Sequence, residues 1–193
     1  MKAALVASLA ALFLTAVAPA APISYFAYLN GPNEAPPNSS PGTGIANVTL
    51  DVAAHTMLVQ VTFTDLVAPN TAAHIHCCTT VPLTGTAGVA TTTPTFTGFP
   101  SGTTSGSYTH LFDTSLASSY NPAFVTAQGG SVAAAEAALA AGMANGQTYL
   151  NIHSSTFPNG EIRGFLTPVP EPATMLLVGG VLFGLVRAKR KRA

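Results

Sequence analysis

Between residues 21 and 168 the apolar side chains recur with a spacing of two. In Asn47-Val-Thr-Leu-Asp-Val52, Val48, Leu50 and Val52 alternate with Asn47, Thr49 and Asp51, and in Met57-Leu-Val-Gln-Val-Thr-Phe63 the apolar set is Met57, Val59, Val61 and Phe63. Alternation of this kind makes one side of an extended chain apolar and the other polar, so both segments are expected as half-buried antiparallel strands, with Ala53-Ala54-His55-Thr56 as the turn between them. Ser24 to Leu29, Ala72 to Cys77, Ser107 to Phe112, Thr148 to His153 and Glu161 to Leu166 read as further strands. Gly31-Pro32, Pro69-Asn70 and Pro158-Asn159-Gly160 break the chain between them. One segment departs from the period. Ser131 can cap Val132 to Ala141, a run of helix formers that Gly142 is expected to end, and this helix reads as a packing element. Thr79 to Gly106, rich in Thr, Gly and Pro, reads as a long surface loop with one or two irregular strands. Many short strands separated by turn signals predict a sandwich or a barrel.

The two ends do not share this pattern. Lys2, the apolar stretch Ala3 to Val17 and Ala18-Pro19-Ala20 form the three regions of a secretory signal peptide, with cleavage expected after Ala20. At the other end, the apolar run Ala173 to Val186 is followed by Arg187, Lys189, Arg190, Lys191 and Arg192. Such a run partitions into a bilayer while the basic cluster stays on the cytoplasmic side, although it is shorter than the roughly 20 residues of a comfortable spanning helix. A buried core helix would have no use for Gly179, Gly180 and Gly184. Val169 to Ala193 resembles a PEP-CTERM sorting signal, with Pro170, Glu171 and Pro172 as its signature. The resemblance implies a membrane peptidase of the exosortase type as processing partner, which removes the anchor and passes the protein to the cell surface or extracellular matrix. The chain therefore divides into a signal peptide (1–20), a β domain (21–168) and a sorting tail (169–193) that contains a membrane helix over about 173–186.

Setting the ends aside changes the charge. Arg163 is the one Lys or Arg between residues 21 and 168, against Glu34, Asp51, Asp65, Asp113, Glu136 and Glu161, a formal net charge of −5. Phosphate recognition draws on several basic side chains, so nucleic acid is excluded as a partner, and membrane contact is expected only through the uncleaved tail. About 150 residues suffice for one hydrophobic core without disulfide support. Cys77 and Cys78 are neighbours. Across a trans peptide their Cα atoms would stand about 3.8 Å apart, too close for an unstrained disulfide, so a buried thiol beside a partly exposed one is expected.

Strand alternation sorts the candidate chemistry. His74, His76 and Cys78 share one face of their strand and Ile75 and Cys77 the other, while Tyr149, Asn151 and His153 lie opposite Leu150 and Ile152. Two His at i and i+2 with a third from another strand can converge on one metal, and imidazole suits zinc or copper. Cys78 is the further candidate ligand and His110 a reserve one. The alternative is that these histidines hydrogen-bond across the sheet. His55, in a turn, is expected to be solvated. Glu161 and Arg163, two apart on one strand, are expected to form a structural pair that locks the last strand. The sequence carries no serine-nucleophile motif, phosphate loop or Cys-x-x-Cys.

Several segments together resemble the CHRD domain: Tyr28-Leu-Asn-Gly-Pro-Asn-Glu-Ala-Pro-Pro37, Gly44-Ile-Ala-Asn-Val-Thr-Leu-Asp51, His74-Ile-His76, Ala87-Gly-Val-Ala90, Asn151-Ile-His153 and Pro158-Asn-Gly-Glu-Ile-Arg-Gly164. Where many members follow His-Ile-His with Gly, this chain has Cys77-Cys78. The resemblance implies a β-sandwich module with no catalytic residues. The expected fold class is thus mainly β, an antiparallel sandwich of Ig-like or superoxide-dismutase-like form with one short helix. The expected function is that of a secreted, non-enzymatic binding or matrix module needing no cofactor, with exopolysaccharide or another envelope component as partner. The alternative is a zinc- or copper-binding protein, or a superoxide-dismutase-like redox protein, using His74, His76 and His153.

Overall fold

A computed structural model describes residues 21–170. The expected signal peptide over residues 1–20, Glu171, Pro172 and the apolar segment expected in the tail lie outside the described residues. Among the described residues no helix is long and apolar enough to cross a membrane. Eight strands form one antiparallel sheet that curls into a half-barrel: β1 (Ile23–Asn30), β2 (Thr43–Asp51), β3 (Thr56–Thr64), β4 (Asn70–His76), β5 (Gly106–Asp113), β6 (Tyr149–Ser154), β7 (Ile162–Phe165) and β8 (Thr167–Pro168). Their order is β4-β6-β7-β1-β2-β3-β5, with β8 paired to β1. The mainly β, antiparallel expectation holds. The strand pairing runs through one continuous sheet instead of dividing into two.

The two-residue period is what curls the sheet around a core. Tyr25, Ala27 and Leu29 of β1, Ala46, Val48 and Leu50 of β2, and Met57, Val59, Val61 and Phe63 of β3 all point inward. Their polar neighbours face out, so a slip of one residue in register would expose the whole set. β2 and β3 pair from Thr43 opposite Thr64 to Asp51 opposite Thr56, and His55, with a left-handed φ of 54°, closes the turn between them. His55 is not simply solvated: its Nδ1 lies 2.8 Å from Oε2 of the buried Glu136.

Two helices appear where one was expected. α1 (Pro122–Ala127) starts at Asn121, whose side chain accepts from the Ala123 N–H, with Pro122 at the first helical position. α2 (Val132–Ala144) is capped by Ser131 as expected but continues through Gly142. Gly142 is buried, and a Cβ placed there would stand 2.5 Å from Cys77 Sγ and 2.6 Å from Cys78 Sγ. The glycine permits a close approach of α2 to the two sulfurs, and a left-handed Gly146 follows the helix end instead. Those sulfurs are bonded. A disulfide thus stands where a pair of thiols was expected, and the Cys77–Cys78 peptide is cis, with Cα atoms 3.0 Å apart.

The stretch from Thr79 to Gly106 is not a surface loop along its whole length. It folds back over β4, and Phe96 and Phe99 enter the core beside Phe63, Tyr108 and Phe112. Thr95 and Thr91 accept with their hydroxyls from the N–H groups of Ala73 and Ile75, and Phe96 and Ala90 donate to the carbonyls of the same two residues. The outer edge of β4 is thereby satisfied without a regular strand.

Gly142→Ala should lower stability by about 1–3 kcal/mol, because overpacking against the sulfurs outweighs the helix propensity gained. Thermal melts of this variant beside Ala137→Gly, an exposed helix position where the propensity term stands alone, separate the two effects.

Candidate metal centre

β4 and β6 pair so that His74 stands opposite Asn151, His76 opposite Tyr149 and Ala72 opposite His153. Directly opposed residues share a face, so all three histidines project to the side away from Ala73, Ile75, Leu150 and Ile152, which belong to the core. There the folded-back loop covers them. His74 and His76 are buried and His153 is half-buried.

Each imidazole is held by a main-chain carbonyl. Nδ1 of His74 lies 3.2 Å from Pro94 O, that of His76 2.8 Å from Ala87 O, and that of His153 2.9 Å from Pro158 O. A carbonyl oxygen only accepts, so each Nδ1 carries the hydrogen and each neutral ring offers a bare lone pair at Nε2. His74 and His153 turn these lone pairs toward one another, with the His76 ring beside them. The ligand atoms of the three rings all lie within 4.8 Å, His74 Nε2 stands 2.9 Å from His153 Nε2, and the buried His76 Nε2 has no hydrogen-bond partner. Two lone pairs at that distance repel unless a cation or a proton comes between them. Protonation is opposed by burial first, then by the neighbouring rings: the His74 pKa is lowered to about 3 and that of His76 to about 4, and burial lowers that of His153 as well. Donors on one ion with metal–nitrogen bonds of about 2.0 Å stand about 3.3 Å apart, against 2.9 Å between the Nε2 atoms of His74 and His153. Imidazoles anchored through one nitrogen with the other aimed at a common point are the arrangement of metal-ligating histidine.

Other expected participants are placed elsewhere. Cys78 is tied to Cys77 and offers no thiolate. His110 lies on β5, at the opposite edge of the sheet from β4, packed against Phe112 and Tyr108. Glu161 and Arg163 do not pair with each other. Glu161 precedes β7 and is fully buried; its Oε1 accepts from Ser40 Oγ and from the Val67 N–H, both at 2.6 Å. Arg163 reaches across to Glu34, Nε to Oε2 at 3.8 Å, and donates to the carbonyls of Asn33 and Gly85. Alternation along the last strand could not reveal a partner 129 residues earlier.

The Arg163 guanidinium lies over the Tyr149 ring, 4.7 Å from its centroid, and Tyr149 stacks on His76 at 4.5 Å and 8°. A packed row thus leads from the histidines to a cavity of about 650 Å³ lined by residues that include Tyr28, Asn33, Glu34, Thr84, Arg163 and Phe165. Burial pushes the Glu34 carboxyl up to about 7 even though Arg163 pulls it down.

The family model of the CHRD domain matches residues 25–166, and that of the PEP-CTERM protein-sorting motif matches residues 168–191. The sorting motif marks an exported protein, anchored transiently in a membrane and processed by an exosortase. No curated protein and no solved structure matches the chain.

Glu34 holds its proton more tightly in the folded chain than in the unfolded one. Its contribution to stability is full below pH 4.5 and is lost as pH rises through about 7. The neutral histidines act in the opposite sense, their contribution being present above pH 6.5 and lost as pH falls through the lowered values. Urea midpoints of parent and Glu34→Gln, measured from about pH 4 to about pH 8, isolate the first effect: the variant should gain on the parent as pH rises. Glu161→Ala, which strips the acceptor from Ser40 and Val67, should cost about 1–3 kcal/mol in the same measurement.

Proposed function

The chain belongs to the CHRD-domain family and carries a PEP-CTERM sorting motif, and from that premise we propose that it is a non-enzymatic module of the cell envelope or extracellular matrix that binds a zinc or copper ion at His74, His76 and His153. The convergence of three imidazoles, each fixed through Nδ1 by a backbone carbonyl, carries the reading. An ion there replaces the repulsion between His74 and His153 with coordination. It also fastens β4 to β6 and to the covering loop, since Pro94 and Ala87 hold two of the ligands.

A matrix role is supported by the export signal together with the cavity beside Arg163. Tyr28 is half exposed there, and Phe165, Arg163 and Asn33 add an aromatic face and polar groups, the combination that suits a sugar ring. The partner this favours is the producer's own exopolysaccharide. An Ig-like or superoxide-dismutase-like classification and a redox activity are the competing reading, for which the paired histidines on an antiparallel sheet are the support.

Metal analysis of the full chain, exported to a bacterial periplasm and purified in detergent, tests the centre directly. One equivalent of zinc or copper is expected in the parent and none in His74→Ala/His76→Ala. Absence of metal from the parent after reconstitution would leave the histidines as structural groups. Retention on the producer's polysaccharide, weakened by Tyr28→Ala, tests the matrix role, and superoxide consumption by the copper-loaded chain would establish the competing reading.

A further inference from the structure

The donors around the histidine cluster are all neutral. Each Nδ1 is given to a backbone carbonyl and none to a carboxylate. The nearest charged side chain, Arg163, is separated from His76 by the Tyr149 ring and is itself paired with Glu34. Cys78, past the end of β4, has its sulfur bonded to Cys77 beside α2 and adds no anionic sulfur. His74 and His76 are buried, so water compensates little.

Resting on the metal-centre reading, we infer that the site selects univalent copper, held three-coordinate by the Nε2 atoms of His74, His76 and His153. The cost of transferring an ion out of water grows with the square of its charge, so a divalent ion loses roughly four times as much as a univalent one in the same setting. Neutral imidazoles return no net charge to offset that difference. Zinc, moreover, takes four ligands in tetrahedral array, and with three protein donors it must carry a water or substrate in the fourth position. Univalent copper has a filled d shell and accepts three nitrogens without a fourth ligand. Imidazole is among the ligands that suit copper, and the low net charge of the site then sets the oxidation state.

The inference is tested on the full chain in detergent, loaded anaerobically with one equivalent of Cu(I) in ascorbate. The copper should withstand an about hundredfold excess of Zn(II), a competition that ligand type alone would not decide. It should also stay silent in electron paramagnetic resonance after exposure to air, and X-ray absorption should show three nitrogen neighbours. His153→Ala removes the half-buried ligand at the rim. It should keep the parent's circular dichroism while losing Cu(I) affinity by more than the about ten- to hundredfold that follows loss of an outer-shell partner. Displacement of the copper by zinc, or a stoichiometric Cu(II) signal in air, would overturn the univalent assignment and leave the metal centre standing. Failure to bind either metal would overturn both.

Discussion

The outer edge of β4 is the constraint on which the rest of the molecule depends. An edge strand presents a row of unpaired N–H and C=O groups, and a buried one must have them answered. Here a Thr- and Gly-rich segment answers them, partly through the hydroxyls of Thr91 and Thr95. The same fold-back inserts Phe96 and Phe99 into the core and sets the carbonyls of Ala87 and Pro94 against His76 and His74. Edge protection, core filling and histidine orientation are therefore one structural event. A change that loosened Phe96 would be felt at the imidazoles, because the chain that carries Pro94 is held by that ring two residues on.

A second polar layer joins the cluster to the rest of the outer face. Glu34, Arg163 and Glu161 are all buried, and their partners come from distant parts of the chain. Truncating one member of a buried charged pair costs more than the pair itself contributes, because the other is left uncompensated. This layer specifies how the loop after β1 and the last strand meet. Gly160 belongs to it as well: with φ at 130°, it leaves room for the Asn151 amide and the Glu34 carboxylate, which a Cβ would strike.

Most strands of the sheet were legible in the sequence because each has one apolar face, and alternation survives any rearrangement of what lies between; the two-residue β8, exposed at both positions, was not. The sequence also placed His74, His76 and His153 on polar faces, from which their convergence follows once β4 and β6 are neighbours. What escaped it were features set by contacts between distant residues. Gly142 looks like a helix stop until the sulfurs beside it are seen. Cys77 and Cys78 look like thiols because neighbours along the chain fall short of the usual Cα spacing of a disulfide. Arg163 looks like a partner for Glu161 because spacing along one strand says nothing about Glu34. The Asn121-Pro122 start of α1 was readable, since a cap followed by proline at the first helical position is a local signal.

Burying Arg163 has a consequence for an exported protein. Between residues 21 and 168 no other Lys or Arg occurs, and the Arg163–Gly164 bond lies within β7 with both residues buried. A protease that cuts after basic residues meets no accessible bond between residues 21 and 168 of the folded chain. Digestion by such an enzyme would spare the module, a durability suited to an exported protein.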